Sequence, residues 1–369
     1  MTSNLLRPTR RGILTGAAAA VGAAAAGPFL RTRRARADDK RLVVVGWGGA
    51  WNKALREHVF APFEEQTGAI VSDDSPPLTS KVQAMVAAGN VEWDVIETDL
   101  PAILTLVDDD LLEPIDYSKI DPDRLAGIPE ELRHPYGLGS SVYSLNIVYN
   151  TDQFEPGKHP SDWPAVWDGE AYPGGRTFNF QGGVSPQLEI ALIADGVAID
   201  DLYPLDVDRA WQSFDRLKPL VTKWFTSHAQ AIQILSTGGA AVGCSVGAHA
   251  ITASREGAPI AVDFNQGKLG GNYWAIVKGT RNRELVDQFI DFAIDPKRQA
   301  MMCQQVPYGP TNLQAISLMP PEQAAVVPTS PENLSKQFWW DVDWWGSVGP
   351  DGKTQRERQA EVYAAWMLK

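Results

Sequence analysis

The strongest constraint in the sequence is a repeated alternation of short apolar runs with amphipathic helical segments. Residues 42–45 form a continuous run of Leu and Val that ends at Gly46, as a strand buried on both faces of a parallel sheet would. Apolar residues then recur at helical spacing over residues 55–63, and a second short apolar run begins at Val95. Strands that alternate with helices in this way predict an α/β sheet.

The later part of the chain continues the same pattern. Residues 141–149 alternate apolar and polar β-forming side chains, which predicts a strand, and residues 240–243 read as a further short buried strand. Residues 285–293 have the apolar spacing of an amphipathic helix, which Asp295-Pro296 interrupts before another helix begins. The α/β prediction therefore extends over most of the chain.

The first 37 residues are predicted to be an export signal rather than part of the fold. Arg10 and Arg11 form a twin-arginine pattern, an uncharged Ala- and Gly-rich stretch runs to Leu30, and residues 35–37 offer a cleavage site. A retained membrane anchor is the alternative, because 19 uncharged residues can span a bilayer. Ala and Gly contribute little transfer free energy, which favours a cleaved signal and a periplasmic protein exported by the twin-arginine route.

The charge balance and the length limit the classes of partner. The chain has 33 basic and 45 acidic residues, a formal net charge of −12, and the predicted signal holds seven of the Arg and none of the acids. Nucleic acid is therefore not an expected partner. The chain that remains after the signal exceeds the usual size of one domain, so we expect two lobes within a monomer.

Cysteine and histidine provide no pattern for metal or cofactor chemistry. The five His residues are scattered without metal-ligand spacing, so we predict no metal site and no cofactor. Cys244 and Cys303 are the only cysteines in the sequence. The periplasm permits a disulfide between them but does not require one, and two buried thiols are the favoured state.

Several short motifs occur in an order that points to one family. They are Trp47–Trp51, Trp93–Ile96, Asn146–Asn150, Trp163–Trp167 and Tyr308–Asn312. In this order and at these spacings they resemble the spermidine/putrescine-type periplasmic binding proteins, which are bacterial extracellular solute-binding proteins of ABC importers. The resemblance covers essentially the whole chain after the predicted signal, and it rests on the order of the motifs rather than on any one of them.

The resemblance implies a fold and a mode of action. The family fold is the two-lobed periplasmic binding protein of type II, or Venus flytrap, with crossing hinge strands and a solute held between the lobes. Carried over, lobe one takes residues 38–143 and 272–304, lobe two takes 144–271 and 305–345, and a C-terminal helix takes 346–369. Contacts from both lobes favour the closed state, which the permease in the inner membrane recognises, so no catalysis is expected.

The resemblance also implies a set of residues that line the cleft. Trp47 and Trp51 follow the first strand, where open α/β sheets bind ligands, although core packing is an equal alternative for Trp51. Thr98 matches a hydroxyl contact of the family or else caps a helix or turn. The other candidate ligand-binding residues are Gln181, Trp224, Ser227, Gln230, Ser245, Tyr273 and Tyr308.

Two departures from the family pattern bear on the ligand. Polyamine binders carry two carboxylates just before the first helix of lobe two, because each ammonium end needs a desolvated negative partner. Here residues 180–186 contain no acid, and residues 246–248 read Val-Gly-Ala where many relatives have Trp-Asn-Gly. Backbone amides of residues 181–183 are instead suited to a carboxylate. We therefore expect an amine- or amino-acid-like solute that carries both charges, or a bulkier polar solute.

One motif suggests an enzyme instead. Residues 243–247 fit the G-x-S-x-G nucleophile elbow of a secreted serine hydrolase, with Ser245 as nucleophile. That mechanism needs an acid and then a His later in the chain, but His249 is the only His after Ser245 and no acid lies between them. A tight glycine-rich exit from a strand near the cleft explains the motif better.

Three further functions are compatible with the same fold and are considered as alternatives. An iron-binding protein would need clustered Tyr and acid ligands, and Tyr308 has no adjacent Tyr. The Trp-rich residues 338–345 suit either an aromatic cage for a quaternary ammonium or core packing. A sensor or interaction module is compatible with the same fold.

Overall fold

The predicted alternation of strands and helices is present in the computed structural model, which describes residues 40–179 and 187–369. The predicted signal, residues 1–37, and Gln181 lie outside the described residues. All of the described residues belong to one compact unit.

One mixed sheet runs through this unit, with two long antiparallel strands at its centre. The strand order is β2-β1-β3-β10-β6-β9-β7-β8, and β4, β5, β11 and β12 pair at the sides of the two long strands, β6 and β10. The strands are β1 Arg41–Val45, β2 Ile70–Asp74, β3 Val95–Asp99, β4 Leu112–Glu113, β5 Arg133–His134, β6 Gly137–Asn150, β7 Arg176–Asn179, β8 Val221–Phe225, β9 Val242–Val246, β10 Ile260–Val277, β11 Gly309–Pro310 and β12 Phe338–Trp339.

Helices connect these strands as the sequence pattern predicts. They are α1 Gly49–Leu55, α2 Ala61–Thr67, α3 Thr79–Ala87, α4 Leu100–Asp108, α5 Pro122–Ala126, α6 Trp163–Trp167, α7 Leu188–Ala194, α8 Val207–Leu217, α9 His228–Ser236, α10 Gly247–Arg255, α11 Arg283–Ala293, α12 Pro296–Gln305, α13 Pro321–Ala324, α14 Pro331–Leu334, α15 Val342–Gly346 and α16 Gln355–Met367. A π-helical turn, Arg56–Phe60, joins α1 to α2.

Two of these bounds differ from the sequence prediction. The strand predicted at 240–243 is observed as β9, because its pairing with β6 continues as far as Leu145 and Val246. The C-terminal helix α16 begins at Gln355, where Thr354 and Glu357 form a reciprocal capping box, so residues 346–354 precede it.

The long strand β6 passes from one hydrophobic core to another. The first core is built from residues within 42–142 and 269–306, and the second from residues within 147–244 and 338–366. Strand β6 places Val142 in the first core and Ile147 in the second, both fully buried. This is a two-lobed α/β architecture in which β6 and β10 cross between the lobes.

Cys244 and Cys303 are both buried and free. Burial raises the pKa of the Cys244 thiol to about 12, which keeps it protonated and unreactive. Within residues 40–179 and 187–369, no helix has the length and apolar character needed to cross a membrane.

Candidate ligand cavity

A cavity of about 330 Å³ lies where the crossing strands meet both lobes. Its wall takes Trp47 and Asp99 from the first lobe, Phe178 and Phe214 from the second, and Lys268 from β10. The aromatic side chains that line it also include Tyr143, Tyr308, Trp340 and Tyr363. Concave sites with aromatic walls and a few polar groups are typical of small-molecule binding.

The negative charge of the cavity is Asp99. This residue ends β3 and caps α4, where one carboxylate oxygen accepts a hydrogen bond from the backbone N–H of Ala102 at 3.0 Å. Among the described residues no cation pairs with it. The second oxygen is therefore available to a positively charged ligand group.

The positive charge of the cavity without an ion-pair partner is Arg356, near the C-terminal end of the chain. It lies in the first turn of α16, is half-buried, and makes no ion pair within residues 40–179 and 187–369. Burial raises the pKa of the Tyr143 phenol far above its usual value, Asp99 raises that pKa further, and Arg356 lowers it. Both charges therefore act on the same cavity-lining ring.

Lys268 is also in the wall, but its charge is already balanced. Its Nζ lies 2.8 Å from Oε2 of Glu189, and both side chains are almost completely buried. The other carboxylate oxygen of Glu189 accepts hydrogen bonds from Tyr203 at 2.6 Å and from Trp345 at 2.7 Å. The Lys268 ammonium also lies 4.8 Å from the ring centroid of Trp340. Because Lys268 is paired with Glu189, Asp99 and Arg356 are the charged groups of the cavity that have no ion-pair partner among the described residues.

Close backbone approach at the crossing strands positions Tyr143. Gly270 of β10 pairs with Tyr143 of β6. A Cβ atom at Gly270 would lie 2.2 Å from the Cζ atom of the Tyr143 ring, so the ring can occupy this place only over a glycine.

A chain of polar side chains lies beside the cavity on the second lobe. His228, the first residue of α9, lines the cavity, and its Nδ1 lies 3.0 Å from Oγ of Ser245. The ring of His249 stacks on His228 at 5.7 Å, and the Tyr308 hydroxyl lies 3.5 Å from Nε2 of His249. Burial, with a smaller effect of His249, lowers the pKa of His228 to about 3, so this imidazole is neutral near pH 7.

Behind the cavity in the first lobe lies a fully buried carboxyl group. Oε2 of Glu97 accepts a hydrogen bond from the indole N–H of Trp51 at 2.5 Å, and Oε1 accepts from the hydroxyls of Ser140 at 2.7 Å and Ser141 at 3.4 Å. Burial raises the pKa of Glu97 to about 7, against the opposing effect of these hydrogen bonds.

Five candidates from the sequence come from the first lobe and the crossing segments. Trp47 and Tyr308 line the cavity together. Trp51 is buried against Tyr308, with ring centroids 5.0 Å apart, and its indole N–H is committed to Glu97. Thr98 and Tyr273 are buried partners in the β3–β10 register and lie behind the wall. Asp99, the neighbour of Thr98, reaches the cavity instead.

The remaining candidates lie in the second lobe. Trp224 and Gln230 line a separate depression with Lys223 and Ile234. Ser227 caps α9, where its hydroxyl accepts from the backbone N–H of Gln230 at 3.3 Å. This cap orients the first turn of α9, which begins with His228.

Ser245 does not line the cavity, since it is 1 % exposed, and its hydroxyl contacts His228. Strand β9 ends at Val246 and helix α10 begins at Gly247, so the motif marks the predicted exit from a strand. The His beside Ser245 is therefore His228, which precedes the serine in the chain, and not the His249 that the residue order of the motif indicated. In the described part of the chain neither ring of the His228–His249 pair contacts a carboxylate, and no group of three or more metal-ligating side chains occurs.

One of the Trp-rich residues 338–345 lines the cavity and others pack in the second hydrophobic core. Trp340 lines the cavity, whereas Trp345 is 1 % exposed and donates to Glu189. Trp339 is partly exposed outside the cavity. A single ring of this segment therefore faces the candidate site.

Comparison with known proteins decides the family. Residues 58–329 match the family model described as bacterial extracellular solute-binding protein. The gamma-aminobutyric acid-binding protein of Pseudomonas aeruginosa is 32% identical over 324 residues, which cover 86% of this chain and 90% of that protein. The chain belongs to the bacterial extracellular solute-binding proteins. Members of this family work in the periplasm with a small-molecule ligand and a membrane permease, and they are not enzymes.

Solved structures of solute-binding proteins have the same fold. An ABC transporter substrate-binding protein from Bradyrhizobium japonicum matches with a TM-score of 0.81 and 34% identity, covering 89% of this chain and 99% of that one. The Atu4243–GABA receptor matches with a TM-score of 0.78 and 29% identity, covering 88% and 97%. The two-lobed periplasmic binding protein fold expected from the motifs is therefore confirmed.

Proposed function

We propose that this solute-binding protein delivers a small ω-amino acid, of the size and charge of γ-aminobutyrate, to an ABC importer. The observation that carries the proposal is that one aromatic cavity contains a carboxylate, Asp99, and a guanidinium, Arg356, neither of which has an ion-pair partner among the described residues. A solute with an ammonium at one end and a carboxylate at the other complements both. The names of the gamma-aminobutyric acid-binding relative and the Atu4243–GABA receptor agree with this choice.

Each part of such a solute has a partner in the wall. The ammonium donates to the Asp99 oxygen that Ala102 leaves free. The methylene chain lies against the rings of Trp47, Tyr143 and Trp340, where apolar contact costs no hydrogen bond. The carboxylate accepts from the Arg356 guanidinium, whose fork of N–H donors matches two carboxylate oxygens.

The same charges discriminate against polyamines. A diamine bound at Asp99 would place its second ammonium in a cavity where Arg356 repels it and where, among the described residues, no second carboxylate without a cation compensates the lost hydration. This agrees with the lack of acids in residues 180–186. The ligand class therefore differs from spermidine and putrescine although the scaffold is shared.

We also propose how the protein is exported, where its two lobes begin and end, and that it is a monomer. The twin-arginine pattern supports export of the folded chain with cleavage after Ala37. The two cores support lobes at 38–143 with 272–304 and at 144–271 with 305–345. The acidic balance of charge supports a protein that binds no nucleic acid, and we propose that it acts as a monomer.

Calorimetry with a matched set of ligands tests the ligand class. We expect γ-aminobutyrate to bind, and butylamine, butyrate and putrescine to bind at least about tenfold more weakly, because each lacks one of the two charges. Putrescine binding as tightly as any ω-amino acid would refute the proposed ligand. Loss of uptake of the labelled ligand on deletion of the gene separates transport from a sensor role.

A further inference from the structure

We propose that His228 is held as the neutral tautomer with its proton on Nε2, and that this N–H donates a hydrogen bond to a carboxylate oxygen of the bound solute. The identity of the acceptor rests on the proposed function above, whereas the tautomer does not. Nothing in the sequence motifs or in the family comparison assigns a role to this residue.

The hydrogen bonds at Nδ1 determine the tautomer. The backbone N–H of Val246 points at Nδ1 of His228 at 3.4 Å, and a backbone N–H can only donate. Nδ1 is therefore an acceptor and carries no proton. The Ser245 hydroxyl, 3.0 Å from the same atom, donates as well. A neutral imidazole whose Nδ1 accepts must carry its proton on Nε2.

The surroundings of the ring leave Nε2 as the atom for a ligand. The His249 ring stacks on His228 at an interplanar angle of 14°, and Phe225 packs against it at 5.7 Å. Nδ1 is occupied by β9, yet the residue lines the cavity. Within the described residues no group accepts a hydrogen bond from Nε2. The donor that the residue can offer to the cavity is therefore Nε2–H.

The imidazole stays neutral in the conditions of the periplasm. Burial is the main cause of its low pKa, and the neighbouring His249 adds a smaller effect in the same direction. Protonation is further opposed because Val246 already donates to Nδ1. A neutral donor suits a site in which Arg356 supplies the charge for the carboxylate, because it adds a directed hydrogen bond without adding a further cation.

Sheet register places this donor near Lys268 and away from Asp99. Lys268 of β10 pairs with Leu145 of β6, and Leu145 pairs with Val246 of β9, so Lys268 and Val246 lie two strands, about 10 Å, apart. Asp99 pairs with Asn272, four residues, or about 13 Å, further along β10. His228, which accepts a hydrogen bond from Val246, therefore lies on the side of the cavity away from Asp99, where we expect the carboxylate of an ω-amino acid whose ammonium binds Asp99.

Ser245 is a positioning residue in this arrangement. It is too buried to meet a ligand, and its hydroxyl acts on the solute only through Nδ1 of His228. This gives a physical role to the serine of the G-x-S-x-G motif that needs no nucleophile.

Nitrogen NMR of protein labelled with ¹⁵N-histidine tests the tautomer without any ligand. We expect His228, assigned from the spectrum of H228Q, to show a protonated Nε2 and an unprotonated Nδ1. Addition of γ-aminobutyrate should then shift the Nε2 resonance. A proton on Nδ1, or on both nitrogens near pH 7, would overturn the inference whatever the ligand proves to be.

Calorimetry of the His228→Phe variant tests whether a carboxylate oxygen of the solute accepts the hydrogen bond from Nε2–H. The variant should bind γ-aminobutyrate about tenfold more weakly and butylamine no more weakly than the wild type, because only the former has a carboxylate. His159→Gln is the matched control, since His159 bonds Asp263 outside the cavity. Equal loss for both ligands, or no loss for γ-aminobutyrate, contradicts the inference. If the wild type binds no ω-amino acid, the proposed function and the carboxylate acceptor fail together, and the NMR result still decides the tautomer.

Discussion

The indole N–H of Trp51 donates to Oε2 of Glu97 at 2.5 Å, and no cation among the described residues accompanies this fully buried carboxyl group. Its folded-state pKa of about 7 is higher than the usual value of 4.5. The folded protein therefore holds a proton that the unfolded chain releases between these values. The stabilisation is complete below about pH 4.5 and is lost as the pH rises through about 7.

Glu97→Gln should remove this pH dependence while keeping a hydrogen-bond acceptor for Trp51. The free energy of unfolding of the variant, relative to the wild type, should rise by about 2 kcal/mol between about pH 5.5 and about pH 8.5. Urea denaturation at both values measures the difference. Glu92→Gln, at an exposed acid, is the control. A parallel pH profile for Glu97→Gln and the wild type would mean that Glu97 stays ionised in the folded state.

Asp99→Asn tests the ammonium end of the proposed site. The amide keeps the capping acceptor for α4 but loses the charge, so γ-aminobutyrate should bind roughly ten- to a hundredfold more weakly with little change in melting temperature. Asp162→Asn is the matched control, because Asp162 caps α6 in the same way, through Ala165 at 2.8 Å, outside the cavity. Equal affinities for the Asp99→Asn variant and the wild type in calorimetry would place the ammonium elsewhere.

Arg356→Gln tests the carboxylate end. It should weaken binding of γ-aminobutyrate about tenfold or more and should narrow the gap between this ligand and putrescine, because one repelling charge is removed. Arg358→Gln lies on the same helix but pairs with Asp351 at the surface, so it should leave both affinities unchanged. If only the control variant changed affinity, the assignment of Arg356 would be wrong.

Local patterns were sufficient to predict several strands of this fold. The continuous apolar run at 42–45 and the period-two alternation at 141–149 are properties of neighbouring residues, and both segments are strands in the structure. Trp47 directly follows the first predicted strand, and ligands of open α/β sheets bind after strand ends, so Trp47 could be predicted to line the ligand site. It lines the cavity.

The charges of the site follow from chain topology, which no local pattern encodes. Asp99 opens a helix as an N-cap, so its sequence context already has a structural explanation. Arg356 meets the same cavity only because α16 packs on the second lobe, through contacts such as Trp366 against Phe214. The sequence analysis missed His228 because the hydrolase motif requires a His after the serine. In the structure, the packing of α9 against β9 brings His228, which precedes Ser245 in the sequence, into contact with the serine.

Gly270→Ala tests whether the crossing strands shape the cavity through Tyr143. The added methyl group would lie 2.2 Å from Cζ and 2.3 Å from the hydroxyl oxygen of Tyr143, so the ring must leave its present position in the cavity wall. We expect a loss of stability of about 1–3 kcal/mol and weaker binding of γ-aminobutyrate. Gly346→Ala is the control, because its methyl group would meet only Leu104, at an ordinary 3.5 Å. Thermal unfolding and calorimetry measure the two effects, and unchanged affinity in a folded Gly270→Ala protein would show that Tyr143 does not contact the ligand.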